Sequence, residues 1–419
     1  MAQASDFVAA SPSRSAIIMA QDQEHEQTFA CDNPDHVQKG ATPSSCEAST
    51  CSLLISEEPT DSDSTEDEHP DPLMSWLKHE SPENSEEAED NAPAHETAYP
   101  RTPDLPPFDE QRYQFWRLLN PAVRSGGQIE LYLDRLTGAT VAAKRVPAHR
   151  LQAFSSTNPE DLEDPWQEMA VATDLGRPGP GRVPGVCACH GAFRSASGDA
   201  MLVSDYLPGG DLFDVASELG EPGPWREQQA WPLIFSLLEA IMTIHNRGVA
   251  HGDVSLENML RQRGCSTSIA LVDFGMAVTG DLTRAVGVRG KPSYQAPEMH
   301  TERVYDARCA DLFACGVAAY ALAIGSYPWS STRPGSCLAF GYAQKHGIEA
   351  FFQRRKVSVG GDRRPLSGFL SIRYKQLLVT LLSLQPLRRF EISSWRFMHG
   401  GLVAQLEATM GVPEALAGG

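Results

Sequence analysis

The chain reads as an α+β protein in two lobes, a strand-rich one followed by a helical one, behind an acidic arm. Three observations lead there. The charge is lopsided: residues 1–110 hold 25 acids and 4 bases, whereas residues 111–419 hold 29 acids and 31 bases. Short β-type runs (Ile129–Leu133, Val141–Val146, Ala200–Val203) dominate from Tyr113 to about residue 207. Beyond that point the apolar period lengthens to that of a helix. Strands first and helices afterwards segregate into the layers of an α+β fold.

Residues 1–110 are rich in Ser, Glu, Asp, Pro and Thr and poor in aromatic side chains. Such a stretch buries too little apolar surface to offset the entropy of ordering it, so a disordered arm is expected. One island, Pro72-Leu73-Met74-Ser75-Trp76-Leu77, interrupts it as either a docking segment or a chance apolar patch. An arm of this charge suits a basic partner.

In the helical half, Ile234, Leu237, Leu238, Ile241 and His245 recur at helical spacing, and Gly248 follows as a stop. The longest apolar run, Phe313–Gly325, is too short to span a bilayer and reads as a buried core helix. No basic-then-apolar signal pattern opens the chain. The nine cysteines show neither a CxxC pair nor a zinc-type spacing to histidine, the usage expected of reduced thiols. A near-neutral body lacks the positive face that phosphate backbones require, which argues against a nucleic-acid partner. The expectation is a soluble protein without a membrane partner, cytoplasmic, with the nucleus left open.

The residues that carry chemistry lie in four segments: "TGATVAAK" (Thr137–Lys144), "HGDVSLEN" (His251–Asn258), "DFG" (Asp273–Gly275) and "APE" (Ala296–Glu298). In this order and at these separations they resemble the signature set of the eukaryotic-type protein kinases, nearer to the Ser/Thr group, over about residues 112–405. The resemblance implies a bilobal protein-kinase fold, with an N-lobe over 112–207, a C-lobe over 208–405 and a tail over 406–419. It also implies ATP- and Mg2+-dependent phosphoryl transfer to Ser or Thr hydroxyls of protein substrates. The rival reading is a pseudokinase scaffold.

The chemistry agrees with the resemblance. Phosphoryl transfer asks a site to position the nucleotide, neutralise developing charge and orient a hydroxyl. Asp273 offers carboxylate oxygens and Asn258 a carbonyl oxygen, the hard ligands magnesium prefers. Asp253 is placed to accept the hydroxyl proton. Lys144, on a predicted strand, would hold the α/β-phosphates. Its acidic partner is taken as Glu168. Asp164-Pro165 looks like a helix start, which sets Glu168 in the first turn, so Glu160 and Glu163 stay open as alternatives. By resemblance, Asp205 to Leu207 form the hinge that bonds adenine, and Ser204 is the small residue in front of the back pocket. Asp211 is the ribose-contacting acid, and Leu260 lies below the base with Ile129 and Ala142 above it. Glu298 resembles the acid that pairs with a late Arg, for which Arg389 is available, and Asp311 the acid that ties the catalytic loop to the core.

Three departures from the family pattern stand out. Gly127 matches the third glycine of the phosphate loop, but Ala122 and Arg124 stand where the first two belong, which implies weaker nucleotide binding. Gly252 replaces the Arg that normally receives an activation-segment phosphate. Its absence implies activity without phosphorylation of Thr279, Thr283, Ser293 or Tyr294. Ser255 stands where the Ser/Thr kinases carry a Lys, and Lys291 where they usually carry a Thr. The two are read as exchanged, Lys291 supplying the ammonium and Ser255 the hydroxyl.

Overall fold

A computed structural model describes residues 104–122, 127–153, 162–262 and 267–392. Its N-terminal lobe is a five-stranded antiparallel sheet made of β1 (Tyr113–Ala122), β2 (Gly127–Asp134), β3 (Thr140–Val146), β4 (Cys189–Arg194) and β5 (Ala200–Asp205). The strand order is β1-β2-β3-β5-β4. The three β-type runs of the sequence are thus β2, β3 and β5. Two short helices, α1 (Ala148–Ala153) and α2 (Pro165–Gly176), lie between β3 and β4.

Side-chain alternation divides the sheet into two faces. Val141 and Ala143 point with Tyr132, Met201 and Val203 into one apolar cluster, which Tyr113 completes. On the other face, Lys144 pairs in register with Ile129 and Leu202, and Ala142 with Leu131 and Ser204. Part of that face packs on α2 through Leu202, Trp166 and Met169. The remainder is the roof of a cleft.

The fold begins earlier than the expected boundary at residue 110. Phe108 N donates to Arg194 O at 2.8 Å, and Arg194 N to Pro106 O at 2.8 Å, so the chain runs alongside β4. The Phe108 ring stacks on Tyr113 with centroids 5.2 Å apart and meets Tyr132 edge-on. Composition averaged over the arm hid this because only two apolar side chains, Leu105 and Phe108, and a pair of backbone hydrogen bonds hold the segment down. The rest of the arm, including the Pro72–Leu77 island, lies outside the described residues.

The C-terminal lobe is helical: α3 (Leu212–Glu218), α4 (Pro224–His245), α5 (Glu298–Thr301), α6 (Ala307–Ile324), α7 (Leu338–His346), α8 (Ile348–Arg354) and α9 (Ile372–Leu381). Short strand pairs lie between α4 and α5: β6 (Val249–Ala250) with β9 (Val278–Thr279), and β7 (Met259–Arg261) with β8 (Ile269–Leu271). A hairpin, β10 (Lys356–Val359) with β11 (Asp362–Pro365), follows α8. The predicted apolar run is α6, buried along nearly its whole length and capped by Asp306, whose side chain accepts from Arg308 N. It stops at Gly325, which takes the left-handed conformation (φ +81°) and returns its N–H to Ala321 O.

Two buried arginines lock the lobe. Arg226 donates to Leu322 O and Ala216 O, both at 2.7 Å, satisfying carbonyls at the ends of α6 and α3. Burial pulls its pKa down to about 10. Arg389, fully buried, grips Glu298 with both nitrogens, the Nη2–Oε2 arm at 3.0 Å. Removing one partner of such a pair strands a charge in the core, whereas removing both does not. Glu298→Ala is therefore expected to lower unfolding free energy by about 3–5 kcal/mol. Combining Glu298→Leu with Arg389→Met is expected to recover much of that loss in denaturant unfolding.

Candidate active site

The anchor of the site is Asp311 on α6, 3% exposed. Its Oδ2 accepts from His251 N at 2.7 Å and lies 2.9 Å from His245 Nε2 at the end of α4, while Oδ1 accepts from Gly252 N at 2.9 Å. His251 carries the order forward. Its Nε2 bonds Val272 O at 3.0 Å and its Nδ1 accepts from Asp253 N at 3.3 Å, so the proton sits on Nε2. Asn258 Nδ2 then donates to Asp253 O (2.8 Å) and Asp253 Oδ2 (3.0 Å). The backbone of Asn258 in turn accepts from Val272 N at 3.1 Å, next to Asp273.

Lys144 joins the lobes. Its Nζ lies 2.6 Å from Glu168 Oε1 and 3.0 Å from Asp273 Oδ1. Burial works against its charge, but the two carboxylates outweigh that and hold the ammonium above its usual range. Burial, with Asp273 nearby, pushes the Glu168 carboxyl up, opposed by Lys144. Glu168 does sit in the first turn of α2, because Asp164 caps the helix by accepting from Trp166 N and Gln167 N. The pairing works from there because α2 enters directly over the cleft: Asp164 N donates to Gly275 O at 2.8 Å, and Gln167 Nε2 bonds Ala277 O. Glu163 instead lies against Gly275, and Glu160 is outside the described residues. Asp273 adopts φ +64°, a strained conformation for a residue with a Cβ, which turns its carboxylate toward Lys144.

The slot between the lobes has Ile129 and Ala142 on the roof face, both half-buried, with Ser204 paired opposite Ala142. Asp211 bridges to Leu260 below and caps α3, accepting from Asp214 N at 2.9 Å. Burial raises its pKa. The Asp205 amide is taken by Ala188 O at 2.9 Å, so the hinge edge available to a base starts at the Asp205 carbonyl and runs to Leu207. Asp205 Oδ1 also meets His190 at 2.8 Å, a clasp between hinge and β4 that the motif pattern did not signal. Gly127 opens β2, paired with Ala122, while residues 123–126, including Arg124, are outside the described set. The cysteines among the described residues are free and buried, and burial pushes Cys187 beside the hinge up to about 12.

The segment between "DFG" and "APE" turns back onto the catalytic loop. Lys291 Nζ lies 2.8 Å from Ser255 Oγ and 2.8 Å from Glu257 Oε2. Tyr294 OH accepts from Leu256 N at 3.2 Å. The two exchanged positions therefore do meet. Glu257 was missed; its signal would have been a lysine entering the loop with no acid assigned to it. Of the four hydroxyls in this segment, Thr279, Ser293 and Tyr294 are buried and Thr283 is exposed.

A donor set of one carboxylate and one amide carbonyl beside a buried loop aspartate fits a hard divalent cation. The Asn258 nitrogen is committed to Asp253, which leaves the amide oxygen as the ligand atom. Lys144 supplies the fixed cation that a polyphosphate needs on its other side.

Comparison with known proteins agrees with this geometry. Residues 125–396 match the protein kinase domain. The chain belongs to the protein kinase family, in its eukaryotic type. It is 31% identical over 232 residues to CBL-interacting protein kinase 25 of Oryza sativa subsp. japonica, covering 54% of this chain and 42% of that one. It is 32% identical over 229 residues to CBL-interacting serine/threonine-protein kinase 2 of Arabidopsis thaliana, covering 53% and 45%. Against serine/threonine-protein kinase SAPK4 of Oryza sativa subsp. japonica it is 32% identical over 130 residues, covering 31% and 35%. The chain thus spans less than half the length of these relatives.

Gly252 is held at φ +73°, and a Cβ built there falls 2.1 Å from Met276 O. Gly252→Arg, which restores the residue usual in the family, is therefore expected to lower the melting temperature and not to improve function, as thermal unfolding of the two chains will show.

Proposed function

We propose that the chain transfers the γ-phosphoryl group of ATP, with magnesium, to Ser or Thr hydroxyls of protein substrates. The observation that carries this reading is the convergence of Lys144, Glu168 and Asp273 on one side and Asp253 and Asn258 on the other at a single cleft. A scaffold has no physical need for that constellation. Ile129, Ala142, Ser204, Asp205, Leu207 and Leu260 would seat the base, Asp211 the ribose, and Gly127 the edge of the phosphates.

In the proposed reaction Lys144 orients the α/β-phosphates, and Glu168 holds Lys144. Asp273 and Asn258 would hold magnesium, which supplies positive charge beside the phosphate oxygens. Asp253 takes the proton of the substrate hydroxyl as its oxygen bonds to the γ-phosphorus and the bond to the β-phosphate oxygen breaks. Lys291, fixed between Ser255 and Glu257, supplies an ammonium at the transferring group, the role otherwise given to a lysine at position 255. Losing such a contact costs roughly 10²–10³ in rate.

Two measurements test this. Phosphate transfer from ATP to a generic basic protein should occur with the wild type and vanish with Asp273→Ala. Absence of both turnover and magnesium-dependent nucleotide binding in the wild type favours the scaffold. Lys291→Ala should collapse kcat, whereas Ser255→Lys combined with Lys291→Thr should retain much of the activity. A double variant as inactive as the single one removes the exchange.

A further inference from the structure

The loss of an arginine at position 252 is more than a deletion. The space beside Gly252 is filled by the Met276 backbone and by Arg289, whose Cδ lies 3.5 Å from a Cβ built on Gly252. Arg289 comes from the activation segment itself. Its Nη1 donates to Met276 O at 3.1 Å and reaches Leu162 O at 3.4 Å. Met276 directly follows "DFG", and Leu162 lies two residues before Asp164, the cap of α2. Leu162 also packs against Gly287 of the activation segment, its Cδ1 being 2.8 Å from a Cβ built there. The guanidinium therefore sits where three strands of backbone meet.

Two further observations bear on its role. Among the described residues no carboxylate pairs with Arg289; it bonds the carbonyls of Met276 and Leu162 and the Tyr305 hydroxyl. Burial lowers its pKa, with Tyr305 acting in the opposite direction. Arg289 is half-buried, and a partly desolvated cation with no acid beside it is unfavourable unless its geometry is used for something. In addition, three of the four hydroxyls of the segment are buried: Ser293 donates to Ser330 O at 3.2 Å, and Tyr294 to Tyr327 at 3.2 Å. The exposed one, Thr283, bonds Asp281.

We infer that Arg289 is a positioning residue that fastens the activation segment to Met276 and to the entrance of α2, a brace within the chain that needs no activation-segment phosphate. The consequence reaches the site through α2. The entrance of α2 sets Glu168, Glu168 sets Lys144, and Lys144 meets Asp273. Its effect on rate rests on the phosphotransfer reading above; its effect on backbone order does not.

The test uses the full chain after phosphatase treatment, as wild type, Arg289→Met and Arg289→Lys, read by hydrogen–deuterium exchange and by kinetics. In Arg289→Met, exchange should quicken on the order of tenfold both in residues 276–292 and in residues 163–170, with α6 unchanged. Arg289→Lys, which keeps one donor, should fall between. The kcat should drop on the order of tenfold with little change in KM for the protein substrate, while Thr283→Ala and the phosphatase-treated wild type keep full rate. Unchanged exchange at 163–170 in Arg289→Met overturns the inference, as does a wild type that loses its rate on phosphatase treatment. If Arg289→Met unfolds, Arg289→Lys decides by the same two segments. A wild type without turnover whose exchange still responds as expected removes the phosphotransfer reading alone.

Discussion

A single buried carboxylate organises this protein. Asp311 sits on α6, a helix buried along nearly its whole length, and so has no water to satisfy it. It is satisfied instead by two successive amides of the catalytic loop and by His245. A charge in such a place is tolerable only when its lone pairs are filled. That requirement fixes the loop, the loop fixes the His251 tautomer, and His251 and Asn258 fix Asp253 from either side. The rigid apolar helix thus dictates the position of a polar site that it does not itself line.

The other half of the site is set by the sheet. Because β3 alternates its side chains, burying Val141 and Ala143 in the lobe's own core obliges Ala142 and Lys144 to face the cleft. Lys144 is desolvated there, and two carboxylates from different elements restore its charge. Glu168 arrives on α2 and Asp273 on a strained backbone, so one ion-pair cluster reports whether both lobes are in place.

Between these halves, the activation segment folds inward with its own cations. Lys291 and Arg289 flank Gly290, whose Cα approaches Asp253 closely enough that a Cβ would come within 3.1 Å of its Oδ1. Lys291 turns to Ser255 and Glu257, and Arg289 to backbone carbonyls over Gly252. The meeting of Lys291 and Ser255 was legible because each departs from the family pattern in a complementary way. The Arg289 brace was not, since the two bonds that fasten it to Met276 and Leu162 go to carbonyl oxygens, which carry no sequence identity. The choice of Glu168 over Glu163 was legible only in part. The cap at Asp164 argued against Glu168, and what rescues it is the anchoring of the first turn of α2 to Gly275 and Ala277.

The sequence by itself determined the order of strands and helices, the buried character of α6, the four motif segments, and the residue types that the proposed reaction would use for phosphate, metal and proton. Periodicity and motif spacing are local properties, and they are written in neighbouring residues. Only the tertiary structure decided that Pro106–Phe108 runs alongside β4, that Asp205 is clasped by His190, that Glu257 shares Lys291, and that Arg289 covers Gly252. Each of these joins positions far apart in the chain or uses backbone atoms common to every residue. A one-dimensional pattern cannot distinguish such contacts, whereas the geometry of a packed core admits very few of them.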